Sequence, residues 1–257
     1  MDCKKALTEA DGDFDKAVEI LRKKGQKVSA SRADRKTSEG VVFAKTSDDG
    51  SKGVVVAFTC ETDFVAKNED FVALGKEITD LAYNNNPTDI ESLLALKAGD
   101  LTVAEKITEA TGKIGEKLEV SSYEELGGEK VVTYIHSNKK LGVLVALKGA
   151  NGSDVTEAGK DVAMQIAAMS PVAVDKDGVD PTIVEKEIEI GKEQARQEGK
   201  PENILEKIAM GKLNKFYKEN TLLSQAFVKD SSQTIAQYLD SVQKGLTVSA
   251  FKRVVIG

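Results

Sequence analysis

The chain has 257 residues, of which 40% are hydrophobic and 30% charged, and its formal net charge is −6. This balance predicts a folded protein, large enough for one big domain or two to three small ones, and excludes a chain that is disordered throughout. The negative charge argues against a nucleic-acid binder, which needs a basic face, and favours a protein that binds another protein.

The sequence contains no apolar run of about 18 residues, which a transmembrane helix would need, and its first residues lack the apolar centre of a signal peptide. We therefore expect no membrane association and a cytoplasmic location. Cys3 and Cys60 lie far apart, in helix-like and strand-like contexts, so we expect reduced, buried thiols. Two cysteines and His136 are too few for a usual zinc site, and we expect no metal.

Residues 1–25 predict two short helices, because apolar residues recur at three- and four-residue spacing in each half. Asp13 is the expected N-cap of the second helix, and Gly25 its expected end. Residues 26–38 are polar, basic and rich in serine without an apolar period, and they predict a linker.

Residues 39–126 predict a subdomain in which helices cover one face of a small sheet. Two β-branched runs, 40–46 and 53–60, flank turn residues and predict a hairpin. A helix with one apolar stripe follows from Glu69, and a capping box at Thr102 and Glu105 begins another. Residues 117–126 alternate well enough to form a third strand.

The junction between the second strand and the following helix holds Thr62-Asp63-Phe64-Val65. Spacing alone favours a structural role for these residues. In that interpretation Phe64 packs on an apolar residue one turn into the helix, and Asp63 or Asn68 caps the free backbone N–H groups.

The same order of strand, turn, strand and helix returns after residue 127, which predicts a second, related subdomain. Its first part is 127–180, with a hairpin at 131–136 and 141–147 and a helix at 155–169. Residues 181–219 have a narrow apolar seam broken by Gly-Lys-Pro, and predict a projecting pair of antiparallel helices. Residues 220–257 complete the subdomain with a helix and a final strand. The predicted fold class is α+β.

The sequence contains no phosphate-binding loop, because Gly159-Lys160 has the wrong interval from Gly152 and Asp161 stands where a hydroxyl is needed. His136 has no cysteine or serine partner in a recognisable nucleophile motif, and is more often a structural residue at a strand end. We therefore expect no cofactor and no enzymatic activity.

Several stretches resemble the elongation factor Ts family, the nucleotide exchange factors of elongation factor Tu. Residues 62–67 are similar to its Thr-Asp-Phe-Val signature, and residues 1–13 to its amino-terminal signature. Residues 141–145 are similar to a core strand of the family, and residues 251–257 to its closing strand.

The resemblance implies an architecture for each segment. Residues 1–25 would be part of a ubiquitin-associated-like helical module, followed by the linker, a dimerisation-domain-like core and a coiled-coil hairpin at 181–219. In the family a further helix precedes this module. A shortened clone, a misassigned start codon or a natural truncation would each explain that difference.

The resemblance also implies a function, the release of GDP from elongation factor Tu. Asp63 and Phe64, flanked by Thr62 and Val65, would enter the partner beside its Mg²⁺ and disturb the metal site. Further contacts with the partner would come from Met1, Asp2, His136, Phe227 and Val228. The partner would be GDP-bound or nucleotide-free, in a complex of one-to-one or two-to-two stoichiometry, with no direct contact to nucleic acid. The alternative is a scaffold or chaperone-like protein that binds a GTPase without changing nucleotide release.

Overall fold

The computed structural model describes residues 2–257, and for Asp2 only the backbone. Two helices come first, α1 (Asp2–Glu9) and α2 (Phe14–Ser31). The Asp13 side chain caps α2 by accepting a hydrogen bond of 3.1 Å from the Lys16 N–H, as predicted.

Helix α2 continues through Gly25 to Ser31, so the prediction that Gly25 ends it is wrong, and the first part of the predicted linker is helical. The reason lies in residues distant in sequence. Gly25 packs directly on Gly112 of a later helix, where a Cβ on Gly112 would lie 2.5 Å from the Gly25 Cα. Gly25 therefore serves a close helix crossing and not a helix end.

The first subdomain opens with a hairpin and ends with the strand that joins it. Its elements are β1 (Glu39–Thr46), β2 (Lys52–Cys60), α3 (Asp63–Ala66), α4 (Glu69–Asn85), α5 (Ile90–Ala95), β3 (Lys97–Ala98), β4 (Leu101–Thr102), α6 (Val103–Ile114) and β5 (Glu119–Gly127). The predicted capping box is confirmed, since the Thr102 hydroxyl accepts from the Glu105 N–H and the Glu105 carboxylate accepts from the Thr102 N–H.

The second subdomain repeats the hairpin and contains the projecting helices. Its elements are β6 (Lys130–Ile135), β7 (Leu141–Lys148), α7 (Thr156–Met169), α8 (Pro181–Gln197), α9 (Glu202–Asn220), β8 (Ala226–Phe227), β9 (Asp230–Thr234), α10 (Ile235–Val242) and β10 (Thr247–Val255). The sequence did not indicate the short hairpins β3–β4 and β8–β9, whose strands have two to five residues.

Each subdomain contains one antiparallel three-stranded sheet. The strand orders are β1–β2–β5 and β10–β7–β6, so the final strand rejoins the second sheet, as predicted. Because side chains alternate along a strand, each sheet has two apolar faces. Val56 and Phe58 of β2 pack against the helices of the first subdomain, whereas Val55 and Ala57 pack against the second sheet.

The core therefore has four layers in the order helix, sheet, sheet, helix. Helices α4 and α6 cover the first sheet, and α7 and α10 cover the second. The two sheets share a central cluster in which Leu144 and Ala146 meet Val42 and Val55. The prediction of an α+β fold with two sheet-plus-helix units is confirmed.

The projecting pair of helices is present as predicted. Helices α8 and α9 pack along each other, with Ala195, Leu205, Ala209 and Leu213 buried in the seam. Gly199, with φ of +73°, lies in the turn between them. At the base of the pair, the Val172 N–H donates to the Asn220 carbonyl, which fixes the returning chain on the core.

The two cysteines differ in exposure. Cys60 is fully buried, as expected, but Cys3 is exposed on α1, so the prediction that both thiols are buried is wrong. A single helix pair this short leaves one face of α1 uncovered. No helix within residues 2–257 is both long and apolar enough to cross a membrane.

Candidate protein-binding surface

Residues 61–68 form a sharp tip between β2 and α4. Asp63–Ala66 form one turn of helix whose N-cap is Thr62. Asn68 caps α4 by accepting hydrogen bonds from the N–H groups of Asp70 (2.9 Å) and Phe71 (3.3 Å). Of the two caps suggested by the sequence, Asn68 is therefore confirmed and Asp63 is not.

Phe64 is the most exposed large apolar side chain among the described residues, with 82% of its surface accessible. The interpretation in which it packs on α4 is wrong. The same helical turn is anchored by Val65, which packs on the helix-side core, and by buried Ala66. Helix α3 thus buries one side and directs the Phe64 ring into solvent.

Asp63 lies beside this ring and pairs with Lys67, whose Nζ is 2.6 Å from the Asp63 Oδ2. The hydrogen bond from Lys67 lowers the pKa of the Asp63 carboxyl, so this group stays charged at neutral pH. The tip therefore presents an apolar ring next to an exposed ion pair.

The base of the tip is tied to the residues that follow α6. The Glu116 carboxylate accepts two hydrogen bonds from Thr62, one from its N–H at 3.0 Å and one from its hydroxyl at 2.7 Å. The Cys60 thiol donates to the Thr62 carbonyl at 3.2 Å, and burial raises the pKa of this thiol to about 12.

Glu61 makes a second set of contacts at the base. Its carboxylate accepts from the Lys117 N–H at 2.7 Å, from Arg35 at 2.9 Å and from Arg32 at 3.3 Å. Burial alone would raise the pKa of this carboxyl, but the three hydrogen bonds outweigh burial and lower it. Sequence analysis missed these residues, because the partners are distant in the chain and no local motif marks them.

A groove of about 940 Å³ lies beside the tip. Asp63, Ala66 and Lys67 line one wall, and residues 137–140 of the β6–β7 turn line another. This turn is fixed on the first sheet, because the Lys139 carbonyl accepts from the Val42 N–H at 2.7 Å and Lys140 pairs with Glu39 at 2.6 Å. The fold thus places the tip and the β6–β7 turn on one groove.

His136 begins the β6–β7 turn and is exposed. Its Nδ1 lies 3.0 Å from the Tyr134 hydroxyl, and its backbone closes the turn through bonds with Leu141 and Lys139. Its neighbours Ile135 and Ser137 line the groove. Its position suits both the structural role and the partner contact considered for it.

Phe227 and Val228 differ in what they offer to a partner. Phe227 is buried, with 4% of its surface accessible, and stacks on Tyr238 at a centroid distance of 4.3 Å. Its ring therefore belongs to the core behind the second sheet, and contact of this residue with a partner stays a prediction. Val228 is half exposed, and its N–H donates to the buried Gln165 amide oxygen at 2.9 Å.

The amino-terminal candidates lie at the limit of the structure. Met1 and the side chain of Asp2 lie outside the described residues. Two other apolar side chains of this module, Leu7 and Phe14, are exposed.

Within residues 2–257, no group of three or more His, Cys, Asp or Glu side chains is placed to hold a metal ion. The surface instead combines an exposed ring on a fixed tip, an exposed ion pair and an open groove. Exposed apolar groups in such a setting are typical of sites that bind other macromolecules. The fold and the site define a protein that acts by binding a protein partner.

Residues 61–257 match the family model described as Elongation factor TS. A relative named Elongation factor Ts from Cytophaga hutchinsonii is 62% identical over 255 residues, which is 99% of this chain and 92% of that protein. Another of that name, from Amoebophilus asiaticus, is 56% identical over 257 residues, covering 100% of this chain and 93% of the relative. A third, from Christiangramia forsetii, is 50% identical.

The chain belongs to the elongation factor Ts family. Its function is nucleotide exchange on elongation factor Tu during translation elongation.

Proposed function

We propose that the tip at Asp63 and Phe64 is the part of the chain that releases GDP from elongation factor Tu. The observation that supports this most directly is the 82% exposure of Phe64 on a helical turn whose other side is anchored in the core. Exposure of a large ring to water is unfavourable, so its burial by a partner stabilises the complex.

The ring acts as a rigid wedge. It enters between two helices of elongation factor Tu next to the bound Mg²⁺, and it fits only when those helices separate. Mg²⁺ requires near-ideal octahedral geometry. A small displacement of its ligands therefore weakens the binding of the metal and of the nucleotide phosphates that the metal holds. Asp63, which stays charged beside Lys67, enters with the ring and adds a carboxylate near the metal.

Binding of the tip and binding of GDP weaken each other by one common factor, because coupling between two sites is reciprocal. The nucleotide then leaves, and the more abundant nucleotide of the cell refills the site. This mechanism requires no catalytic chemistry from the chain itself. We propose that the exchange takes place in the cytoplasm, in a one-to-one or a two-to-two complex with elongation factor Tu.

The groove and the β6–β7 turn enlarge the contact. Asp63 of the tip and residues 137–140 of the turn line one groove, so a partner element that binds the tip also reaches the turn that begins at His136. Val228 supplies a separate contact from the second subdomain, whereas Phe227 supports the hairpin that presents it.

Stopped-flow release of a fluorescent GDP analogue from elongation factor Tu tests the proposal. Phe64→Ala should lower the stimulated release rate about 10- to 100-fold, since truncation of a central aromatic contact costs roughly 2 kcal/mol or more. Its circular dichroism should stay unchanged, because the ring packs on little of its own chain.

Val242→Ala, which removes another exposed apolar side chain, serves as the control and should exchange normally. Unfolding of the Phe64 variant would show that the ring supports the fold. Binding of the natural chain to elongation factor Tu without faster release would identify a scaffold and reject the proposal.

A further inference from the structure

Two carboxylates at the base of the tip each accept a hydrogen bond from the backbone of the opposite segment. Glu61 accepts from the Lys117 N–H at 2.7 Å, and Glu116 accepts from the Thr62 N–H at 3.0 Å. Residues 61–62 and 116–117 therefore hold each other by reciprocal bonds from side chain to backbone. We call these four residues the carboxylate clamp.

The clamp fixes the start of α3 as well as the strand end. The Thr62 hydroxyl donates to Glu116 at 2.7 Å and accepts from the Val65 N–H at 3.5 Å, so one oxygen links Glu116 to the helix that presents Phe64. Hydrogen bonds that involve a charged partner are shorter and stronger than neutral ones. Glu116 thus sets both the position and the cap of this helical turn.

The other side of the clamp is itself rigid. Gly115, with φ of +85°, ends α6 and turns the chain so that Glu116 and Lys117 reach the tip. A residue with a side chain is strained at this φ, which explains the glycine. Helix α6 in turn packs on α2 through the contact between Gly25 and Gly112.

The end of the amino-terminal helix reaches the same clamp. Arg32, directly after α2, lies 3.3 Å from Glu61, and Arg35 lies 2.9 Å from its other oxygen. The Glu61 side chain is only 14% exposed, so these pairs are partly shielded from solvent. The Lys117 ammonium also donates to the Arg35 carbonyl at 3.1 Å.

We propose that Glu61 and Glu116 are positioning residues of the exchange reaction, which hold the Phe64 tip in its active orientation and connect it to helix α2. The inference rests on the proposed role of Phe64. A misplacement of about 1 Å at a reacting site costs up to roughly 100-fold in rate. Loss of the clamp therefore lowers exchange through the orientation of Phe64, without requiring a contact between either carboxylate and the nucleotide.

The first experiment measures the tip without any partner. The chain contains no tryptophan, so Phe64→Trp introduces a single tryptophan on the tip, which can be excited selectively over the five tyrosines. In this background Glu116→Ala should lower the steady-state anisotropy of the tryptophan and increase the fast local component of its time-resolved anisotropy decay. Asp100→Ala, which removes an exposed carboxylate from the β3–β4 turn, is the matched control and should change neither. Unchanged anisotropy in the Glu116 variant would overturn the proposal.

The second experiment measures release of a fluorescent GDP analogue with Phe64 in place. Glu116→Ala should lower the maximal stimulated rate about 10-fold, with a smaller change in the half-saturating concentration. Glu116→Gln keeps an acceptor for the Thr62 N–H and should recover part of the rate. The double variant Arg32→Ala/Arg35→Ala should show a loss of about 2- to 5-fold, since Glu61 keeps its bond to Lys117.

The melting temperatures of all variants separate positioning from stability. If Glu116→Ala loses rate only in proportion to the fraction unfolded, the clamp is merely structural and the proposal fails. An unchanged maximal rate in a folded Glu116→Ala protein also overturns it. If Phe64→Ala itself exchanges normally, the proposed function fails, and the tryptophan anisotropy still decides whether the clamp orders the tip.

Discussion

Phe64 and Phe227 show how differently two aromatic residues of one chain are used. Phe64 is 82% exposed on a turn of helix anchored by its neighbours, whereas Phe227 stacks on Tyr238 inside the core. Both were expected to touch a partner, but only the Phe64 ring has a large accessible surface. A single exposed apolar residue is common on protein surfaces, so the indication of function is the combination of the exposed ring, the anchored turn that presents it and the groove beside it.

The two thiols should differ in reactivity. Cys60 is fully buried and burial raises its pKa to about 12, so at pH 8 it has roughly one thiolate in 10,000 molecules. Cys3 is exposed. A thiol-specific chromogenic reagent at pH 8 should therefore modify one thiol per folded chain and two in denaturant.

Cys3→Ser is the control for this assignment and should remove the fast reaction. Because the raised pKa belongs to the folded state, Cys60 adds stability below about pH 9, and this stability decreases as the pH rises from there toward 12. Rapid modification of both thiols in the folded chain would contradict the buried position of Cys60.

Helices α2 and α6 cross at two glycines, which decides where the amino-terminal module sits. A Cβ on Gly112 would lie 2.5 Å from the backbone of Gly25, closer than real contacts allow. Arg22 of α2 pairs with Glu109 of α6 at 3.2 Å beside this crossing. The length of α2 therefore depends on a neighbour about 90 residues further along the chain.

Gly112→Ala and Gly211→Ala form a matched pair that tests this crossing. Both glycines are inside helices, and replacement by alanine normally stabilises a helix by about 0.5–1 kcal/mol. Gly211 has open space around it and should follow this rule, whereas Gly112→Ala should lower the free energy of unfolding by about 1–3 kcal/mol. Urea unfolding measures both, and equal effects would contradict the close crossing.

The helical pair α8–α9 is a separate unit of structure. Its buried residues pack mainly within the pair. At its base, a β-bridge between Ala173 and Thr221 joins the segment that enters the pair to the segment that leaves it. Replacement of residues 181–219 by a short Gly-Ser linker should therefore leave the core folded. Limited proteolysis should yield a resistant core, and circular dichroism should show less helix. A collapsed, protease-sensitive product would mean that the pair supports the core.

The whole molecule depends on the contact between its two sheets. Each sheet is covered by helices on one face, and the other faces meet in a cluster that includes Val42, Val55 and Leu144. Neither subdomain can expose this face to water without loss of apolar burial. The two subdomains should therefore unfold together.

Leu144→Ala tests this coupling. Leu144 is fully buried between the sheets, and its truncation should lower the free energy of unfolding by about 2–5 kcal/mol in a single transition. Val255→Ala, at an exposed position of the final strand, should change it by no more than about 0.5 kcal/mol. Two separate transitions in either protein would show that the subdomains unfold independently.

Local pattern predicted most of the elements. The hairpins β1–β2 and β6–β7, the cap at Thr102 and the paired helices α8 and α9 each depend on residues close in sequence, so the sequence was sufficient. The predicted end of α2 was wrong because Gly25 does not end the helix but allows another helix to pack closely on it. The domain boundaries assigned from sequence stay predictions.

The sequence by itself determined the α+β class, the order of the elements and the family signature at residues 62–67. These properties follow from periodicity, caps and motifs, which act over a few residues. The tertiary structure alone decided that Phe64 points to solvent, that Phe227 does not, and that Glu61 and Glu116 close the base of the tip. Burial and hydrogen bonding between distant segments depend on how the layers pack, and no local pattern contains that information.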